Sequence, residues 1–138
     1  MQRIEVTRSF SLPVERVYAF LSEHEQLGPL LGARITRLRD GDTARNGVGS
    51  VRRVQVGPLP AFEETVTQAV PDELVEYRIT KGSPLRDHLG VLQFAPQGPG
   101  STLTWTVTFS APPVLDRLFA LALERSIRTG LAKVDARA

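Results

Sequence analysis

Four side chains on the predicted central strands could do acid–base or anion-binding chemistry: Arg52, Glu64, Tyr77 and His88. An imidazole exchanges protons near neutral pH, so His88 is a candidate general acid or base. The Tyr77 hydroxyl could donate a hydrogen bond to a ligand carbonyl. An inward Arg52–Glu64 pair could hold a ligand carboxylate or phenol. These four residues are the catalytic candidates.

Each candidate also has a purely structural interpretation. His88 could lie at the rim of the sheet and bond Asp87 or solvent, and a core Tyr77 could bond only backbone. Arg52 and Glu64 could instead pair on the solvent face, where such a pair contributes only a few tenths of a kcal/mol. A shift of one residue in strand register exchanges the two faces, so the sequence leaves these alternatives open.

Several other chemistries lack the residues they need. The chain has no Cys, which excludes disulfides, thiolate catalysis and Cys-ligated zinc. His24 and His88 are too far apart in sequence to form a ligand-spaced pair, so no metal is predicted. The 47–49 Gly-Val-Gly segment does not continue as a phosphate-binding loop, and no Gly-x-Ser-x-Gly elbow occurs. The sequence predicts no cofactor.

The charge and hydropathy of the sequence limit the classes of partner that the chain can bind. The chain has 17 Lys and Arg against 15 Asp and Glu, a net charge of +2, and its cations are dispersed along the sequence. Dispersed cations argue against a nucleic-acid interface. No apolar run approaches the ~20 residues of a membrane span, and the first residues lack a signal-peptide core. We therefore expect a cytoplasmic protein without a membrane span, and a homodimer stays open.

The elements that must position the candidates follow from hydrophobic periodicity. Residues 3–10 alternate as a strand, and Ser11 with Pro13 predicts a capped start for a short helix. A second short helix, made irregular by Gly28 and Pro29, is predicted over 24–30. Six strands follow, around Ile35 and Leu38 and then over 48–56, 62–70, 74–80, 88–94 and 102–109.

The last predicted element is one long helix over residues 114–134. Its apolar side chains are expected to face the sheet as a broad stripe. Short connections between consecutive strands predict an antiparallel sheet, and only this helix is long enough to cover its apolar face. The stripe consists of Leu115, Leu118, Phe119, Ala122, Ile127, Leu131 and Val134.

Five segments resemble one known superfamily: FSLPVERVY at 10–18, GVGSVR at 47–52, LVEYRI at 74–79, DHLG at 87–90 and GSTLTW at 100–105. The chain resembles the START-like (SRPBCC) superfamily, in its polyketide cyclase/dehydrase-like group. The resemblance covers nearly the whole chain and implies a single α+β domain over 1–138. Its helix-grip fold is a curved antiparallel sheet wrapped around a long C-terminal helix, with two short helices between strands 1 and 2.

The resemblance also implies a ligand cavity between sheet and C-terminal helix. An apolar ligand would enter it because burial stabilises by about 25 cal/mol per Å². We expect a cytoplasmic module that binds a small hydrophobic or aromatic molecule, lipid- or polyketide-like. The alternatives are a polyketide cyclase or aromatase and a co-chaperone-type interaction domain. The predicted cavity residues are Tyr18, Phe62, Val66, Tyr77, His88, Leu92, Leu103, Trp105, Val107, Phe119, Leu123 and Ile127.

Overall fold

The computed structural model describes all 138 residues. Its central element is one antiparallel sheet of seven strands. Its spatial order is β1-β7-β6-β5-β4-β3-β2, so the first strand pairs with the last and the fold class is confirmed. The elements in chain order are β1 (Gln2–Phe10), α1 (Val14–Ser22), α2 (His24–Leu31), β2 (Arg34–Arg39), β3 (Val51–Gln55), β4 (Phe62–Val70), β5 (Leu74–Lys81), β6 (Arg86–Gln97), β7 (Gly100–Ser110), α3 (Leu115–Leu131) and α4 (Val134–Arg137).

The alternation of β7 sets the inner face of the sheet. Trp105 and Val107 are buried there, while the threonines between them lie on the outer face and are partly exposed. The register places Trp105 opposite Val6 and Val107 opposite Ile4, so β1 adds its own buried side chains to the same face. The strong period-2 pattern of these strands therefore predicted their inward residues correctly.

Ser11 does not cap α1, contrary to the prediction. The helix starts after Pro13 without a side-chain cap. Both the backbone N–H and the hydroxyl of Ser11 donate to Oδ1 of Asp135 in α4, at 3.0 and 3.1 Å. Ser11 therefore ties the C-terminal end of the chain to the connection between β1 and α1.

The helix α2 is continuous, although Gly28 and Pro29 predicted an irregular one. It runs from His24 to Leu31 with both residues inside it. A side chain at position 28 would lie 2.9 Å from the carbonyl oxygen of Ala33, so glycine permits a close turn into β2.

The predicted single C-terminal helix is two helices, and three of the seven residues in its predicted stripe are exposed. α3 packs mainly on β1 and α2, so it buries Ala120, Ile127 and Leu131. The first half of α3 extends beyond these contacts, which leaves Leu115, Leu118 and Ala122 exposed. None of the helices combines the length and the apolar character needed to cross a membrane.

The third strand is shorter than predicted. Residues 48–50 precede the regular strand: Val66 of β4 exchanges backbone hydrogen bonds with both Gly49 and Ser50, as in a β-bulge, and the Val48 carbonyl accepts from the Asp42 N–H. Val48 and Val56, expected inside the strand, are each 45% exposed. Ser50 is fully buried and donates to the Gly47 carbonyl at 2.7 Å, which fixes the entry into β3.

Arg37 of β2 links the loop before β3 to the start of α2 through a group of polar contacts, which we call the Arg37–Glu25 clasp. Its guanidinium bonds Glu23 at 2.9 Å, Glu25 at 2.8 Å and the backbone carbonyl of Arg45 at 2.9 Å. The hydrogen bond from Arg37 lowers the pKa of Glu25 to about 2.

We expect Arg37→Gln to flatten the acid dependence of stability. Because the folded pKa of Glu25 lies below its unfolded value, the clasp contributes fully above pH ~4.5 and is lost as the pH falls toward 2. Urea unfolding of both proteins at about pH 5 and pH 2.5 measures this, and equal losses for wild type and variant would contradict it. Arg39→Gln, which breaks the exposed pair with Asp42, is the control.

Candidate functional site

Arg52 and Glu64 form a pair on the inner face of the sheet. They are cross-strand neighbours in β3 and β4, and Arg52 Nε lies 2.8 Å from Glu64 Oε1. Their side chains are only 7% and 12% exposed. The register therefore selects the inward interpretation, and the pairing on the solvent face is wrong; the neighbouring Arg53 takes the exposed position.

Tyr77 of β5 lies directly beside this pair. The Arg52 guanidinium carbon sits 5.0 Å from the centre of the Tyr77 ring, a cation–π contact. The hydroxyl accepts a hydrogen bond from Trp105 Nε1 at 3.0 Å, so its partner is a side chain and not backbone. Burial, and then the charge of Glu64, raise the pKa of Tyr77, so the hydroxyl stays protonated. Tyr77 thus retains a hydrogen to donate.

Gly90 makes room for the Tyr77 ring. The two residues are cross-strand neighbours in β5 and β6. A methyl group built on Gly90 would overlap the Tyr77 ring itself. The ring position therefore depends on a residue without a side chain at position 90.

Gly90→Ala is expected to destabilise the fold by about 1–3 kcal/mol, because the new methyl displaces a packed ring. Urea unfolding measures the effect. In a Tyr77→Ala background the same change should cost nothing, since the obstructed ring is gone. Equal effects in both backgrounds would disprove the ring contact as the cause.

His88 is buried beside Tyr77 and does not sit at the rim with Asp87. It is 8% exposed, and its ring centre lies 5.5 Å from that of Tyr77. A shift in β6 register between Arg86 and Leu89 marks an irregularity that includes His88. Its Nδ1 accepts the Ile79 backbone N–H at 3.1 Å, which leaves the proton of the neutral ring on Nε2.

Burial lowers the pKa of His88, and the positive charge of Arg52 lowers it further, while Glu64 opposes the shift. The imidazole is therefore neutral at physiological pH. With Nδ1 occupied, its free nitrogen offers an N–H and not a lone pair. His88 can donate a hydrogen bond from Nε2, but it cannot accept a hydrogen bond or a proton there in this tautomer.

The four candidates form one group, which we call the interior polar cluster: Arg52, Glu64, Tyr77 and His88. Several of its polar atoms have no protein partner: the two terminal nitrogens of Arg52, the hydroxyl hydrogen of Tyr77 and the Nε2–H of His88. Glu64 Oε2 is likewise unpaired. Donors thus outnumber acceptors, and the cluster is suited to an oxygen atom that carries negative charge.

His24, which sequence reasoning weighed only as a metal ligand, lies at the margin of this cluster. It starts α2, is 0% exposed, and its Nε2 lies 3.4 Å from the Ser50 hydroxyl. Nδ1 has no hydrogen-bond partner. Burial, followed by the charges of Arg52 and Arg37, lowers the pKa of His24 to about 3. In the sequence, the i, i+3 spacing of His24 and Leu27 was the signal that could have predicted the burial of His24. Nowhere do three or more His, Asp or Glu side chains gather as a metal site would require.

The apolar residues predicted to line the cavity fall into two groups according to how deeply they are buried. Four members are only partly buried and mark the edge of the interior: Tyr18, Phe62, Phe119 and Leu123. The others belong to the packed core: Val66, Leu92, Leu103, Trp105, Val107 and Ile127.

The surroundings of these lining residues include one aromatic contact and one groove. Tyr18 packs edge-to-face on Phe94, with ring centres 5.2 Å apart. A groove of about 530 Å³ opens outside the predicted cavity, between α2 and α3, where Leu30 and Leu121 line it.

Comparisons with known structures agree with this architecture. Protein TTHA0849 from Thermus thermophilus has a TM-score of 0.79 at 20% identity, with 99% of this chain and 96% of that chain covered. Protein CV1439 from Chromobacterium violaceum has a TM-score of 0.73 at 22% identity, with 96% of each chain covered. The Aha1 dimer from Colwellia psychrerythraea has a TM-score of 0.72 at 16% identity, with 99% and 96% covered. At these identities the similarity shows the fold.

The family comparison is decisive for classification. No curated protein sequence matches the chain. The model of the family described as polyketide cyclase/dehydrase and lipid transport matches residues 1–138, which is the whole chain. The resemblance inferred from the five sequence segments is thereby confirmed. The chain belongs to the polyketide cyclase/dehydrase and lipid transport family.

Proposed function

We propose that this protein binds a small hydrophobic or aromatic molecule, lipid- or polyketide-like, between its curved sheet and α3. The single observation that carries the proposal is the set of unpaired donors in the interior polar cluster. Arg52, Tyr77 and His88 each keep at least one N–H or O–H without a protein partner, although all three are buried. These donor atoms are not left fully buried without a partner, since the only such side-chain atom is Nδ1 of His24; a ligand oxygen can therefore accept from them in place of water.

The chemistry of the cluster specifies the polar part of the ligand. Three donors, one of them permanently charged, favour a carboxylate, phenolate or conjugated carbonyl oxygen. The apolar remainder would contact Val66, Leu92 and the indole of Trp105, which share the inner face. A ligand with one oxygen-bearing end and an aromatic or aliphatic body fits both surroundings.

Room for such a ligand would come from the side of α3. The helix packs mainly on β1 and α2, and its Phe119 and Leu123 are only partly buried against the core. A small outward movement of these two side chains would open space between α3 and the core without breaking the sheet. The proposal therefore includes a rearrangement of α3 upon binding.

Trp105 supplies the test, because it is the only tryptophan of the chain and donates to Tyr77. We expect 1-naphthoate to quench its fluorescence saturably and naphthalene to do so at least about tenfold more weakly, since naphthalene cannot use the donors. Tyr77→Phe should weaken naphthoate binding about tenfold and leave naphthalene unaffected. Tyr18→Phe, the same change at the other tyrosine, should change neither.

Absence of saturable quenching by both compounds would contradict ligand binding. Equal affinity for naphthoate and naphthalene would contradict the role of the polar cluster. Unfolding curves of each variant, recorded under the same conditions, separate a lost contact from a lost fold.

A cyclase is the second candidate, and the unpaired Glu64 Oε2 favours it. A carboxylate beside three donors could remove a proton from the carbon between two carbonyl groups, and Tyr77 and His88 would stabilise the resulting enolate oxygen. Catalysed cyclisation of a soluble poly-β-ketone mimic, reduced about 100-fold in Tyr77→Phe and so well beyond the about tenfold loss of binding expected for that variant, would support the enzyme. Binding without any turnover would favour the carrier.

A further inference from the structure

The outer side of α3 presents aliphatic side chains to solvent at its N-terminal end. Val114 is 79% exposed, Leu115 45%, Leu118 59% and Leu121 61%. Residues 115, 118 and 121 of α3 follow helical i, i+3 spacing, so together with Val114 directly before the helix they form one strip, which we call the outer α3 stripe. Isolated exposed leucines are common in proteins, but a contiguous set on one helix face marks an interaction site.

The backbone holds the start of this stripe outward. Val114 has φ of 77°, a left-handed conformation that a β-branched residue rarely adopts. It directly follows Pro112 and Pro113, which restrict the chain before it. Strain of this kind persists where the surrounding structure enforces it and is concentrated at functional segments. Here its result is a valine side chain projecting into water.

Unpaired cations flank the stripe. Arg117 and Arg125 are exposed on α3 and form no ion pair, and Lys133 is also unpaired. The only ion pair within α3 joins Arg128 to Glu124 at 3.6 Å. Arg125 and Lys133 also line the groove between α2 and α3, next to Leu121 of the stripe. The surface therefore combines aliphatic groups with surplus positive charge.

We propose that the outer α3 stripe docks the protein on the surface of an anionic lipid bilayer. Aliphatic side chains would enter the region between headgroups and acyl chains, and Arg117, Arg125 and Lys133 would contact lipid phosphates. A second copy of the chain fits less well, because a two-fold contact through the stripe would bring the same arginines against each other. The docking is peripheral and does not depend on which ligand the interior binds.

Vesicle co-sedimentation tests the proposal. We expect binding to phosphatidylcholine vesicles that contain phosphatidylglycerol and at least about tenfold weaker binding to phosphatidylcholine alone. Leu118→Glu with Leu121→Glu should reduce binding to the anionic vesicles at least about tenfold. The matched control, Leu38→Glu with Leu59→Glu, alters two leucines that are 48% and 51% exposed elsewhere and should bind like wild type.

A labelled variant locates the contact. Because the chain has no Cys, Leu118→Cys accepts a single environment-sensitive fluorophore, and Leu38→Cys provides the same label at a distant site. Anionic vesicles should shift only the emission of the label at position 118. Failure of the wild-type protein to bind vesicles, or equal shifts at both positions, would overturn the proposal. So would a dimer in analytical ultracentrifugation that the paired stripe substitutions dissociate, since the stripe would then be a protein interface.

Discussion

Glu64→Gln is expected to lower the free energy of unfolding by about 3–5 kcal/mol, the largest loss among the substitutions considered. The change leaves the guanidinium of Arg52 buried without its counter-charge, because Glu64 is its only ion-pair partner. Removal of one member of a buried pair costs far more than the pair itself contributes. Urea unfolding at neutral pH, with the fluorescence of Trp105 as the signal, measures the loss.

The matched control is Glu5→Gln on the outer surface. Glu5 pairs with Arg3 at the same kind of distance, 2.9 Å, but the two side chains are 51% and 62% exposed. Solvent replaces the lost partner there, so we expect a loss below about 1 kcal/mol. A loss for Glu64→Gln no larger than that for Glu5→Gln would contradict the burial argument.

A compensating variant separates charge from shape. Arg52→Met together with Glu64→Leu removes both charges and should recover most of the stability lost in Glu64→Gln, since apolar residues often replace buried pairs without penalty. The same double variant should abolish the preference for naphthoate over naphthalene. The proposed function therefore predicts that the fold does not require the Arg52–Glu64 pair, whereas discrimination between the two ligands does.

The inner face of the sheet was predictable because alternation in β7 is unambiguous. Leu103, Trp105 and Val107 alternate with threonines, and that pattern has one interpretation. The facing of Arg52 and Glu64 was not predictable, because a shift of one residue exchanges the faces and β3 is too short to fix its own register. Pairing with β4 supplied the missing constraint.

The position of His88 depended on a local irregularity. The shift in register between Arg86 and Leu89 is a property of the paired strands and not of either sequence alone. The acceptor role of Nδ1 likewise depends on the Ile79 N–H, which belongs to another strand. Sequence periodicity predicts which residues share a face, but it cannot predict which hydrogen bonds fix a tautomer.

The C-terminal helix shows a different limit. Its apolar residues cover too much of the circumference to be buried at once, so tertiary contacts chose among them. Packing on α2 selected the face of Ile127 and Leu131, and close approach is possible because a side chain at Gly130 would lie 2.9 Å from the Leu30 carbonyl oxygen. The residues left over, Leu115 and Leu118, became part of the outer α3 stripe.

His24 should dominate the loss of stability under mildly acidic conditions. Its folded pKa of about 3 lies below the unfolded value near 6.5, so the unfolded chain binds a proton that the native protein excludes. Stability is therefore fully present above pH ~6.5 and falls by about 1.4 kcal/mol per pH unit as the pH decreases toward 3. Between about pH 6.5 and 4.5 the loss from this residue alone is about 2 kcal/mol.

His24→Gln removes the titration while keeping an amide that can reach the Ser50 hydroxyl, so its stability should change by less than about 1 kcal/mol over the same range. The interval lies above the pH at which the Arg37–Glu25 clasp weakens, so the clasp does not contribute to this measurement. His88→Gln is the companion variant, because the pKa of His88 is lowered in the same direction. If His24→Gln loses as much stability at acid pH as the wild type does, then His24 in the wild-type protein must accept its proton without destabilising the fold. Since Arg52 and Arg37 both oppose a positive charge there, whereas only Glu25 favours one, we expect the loss to disappear with the imidazole.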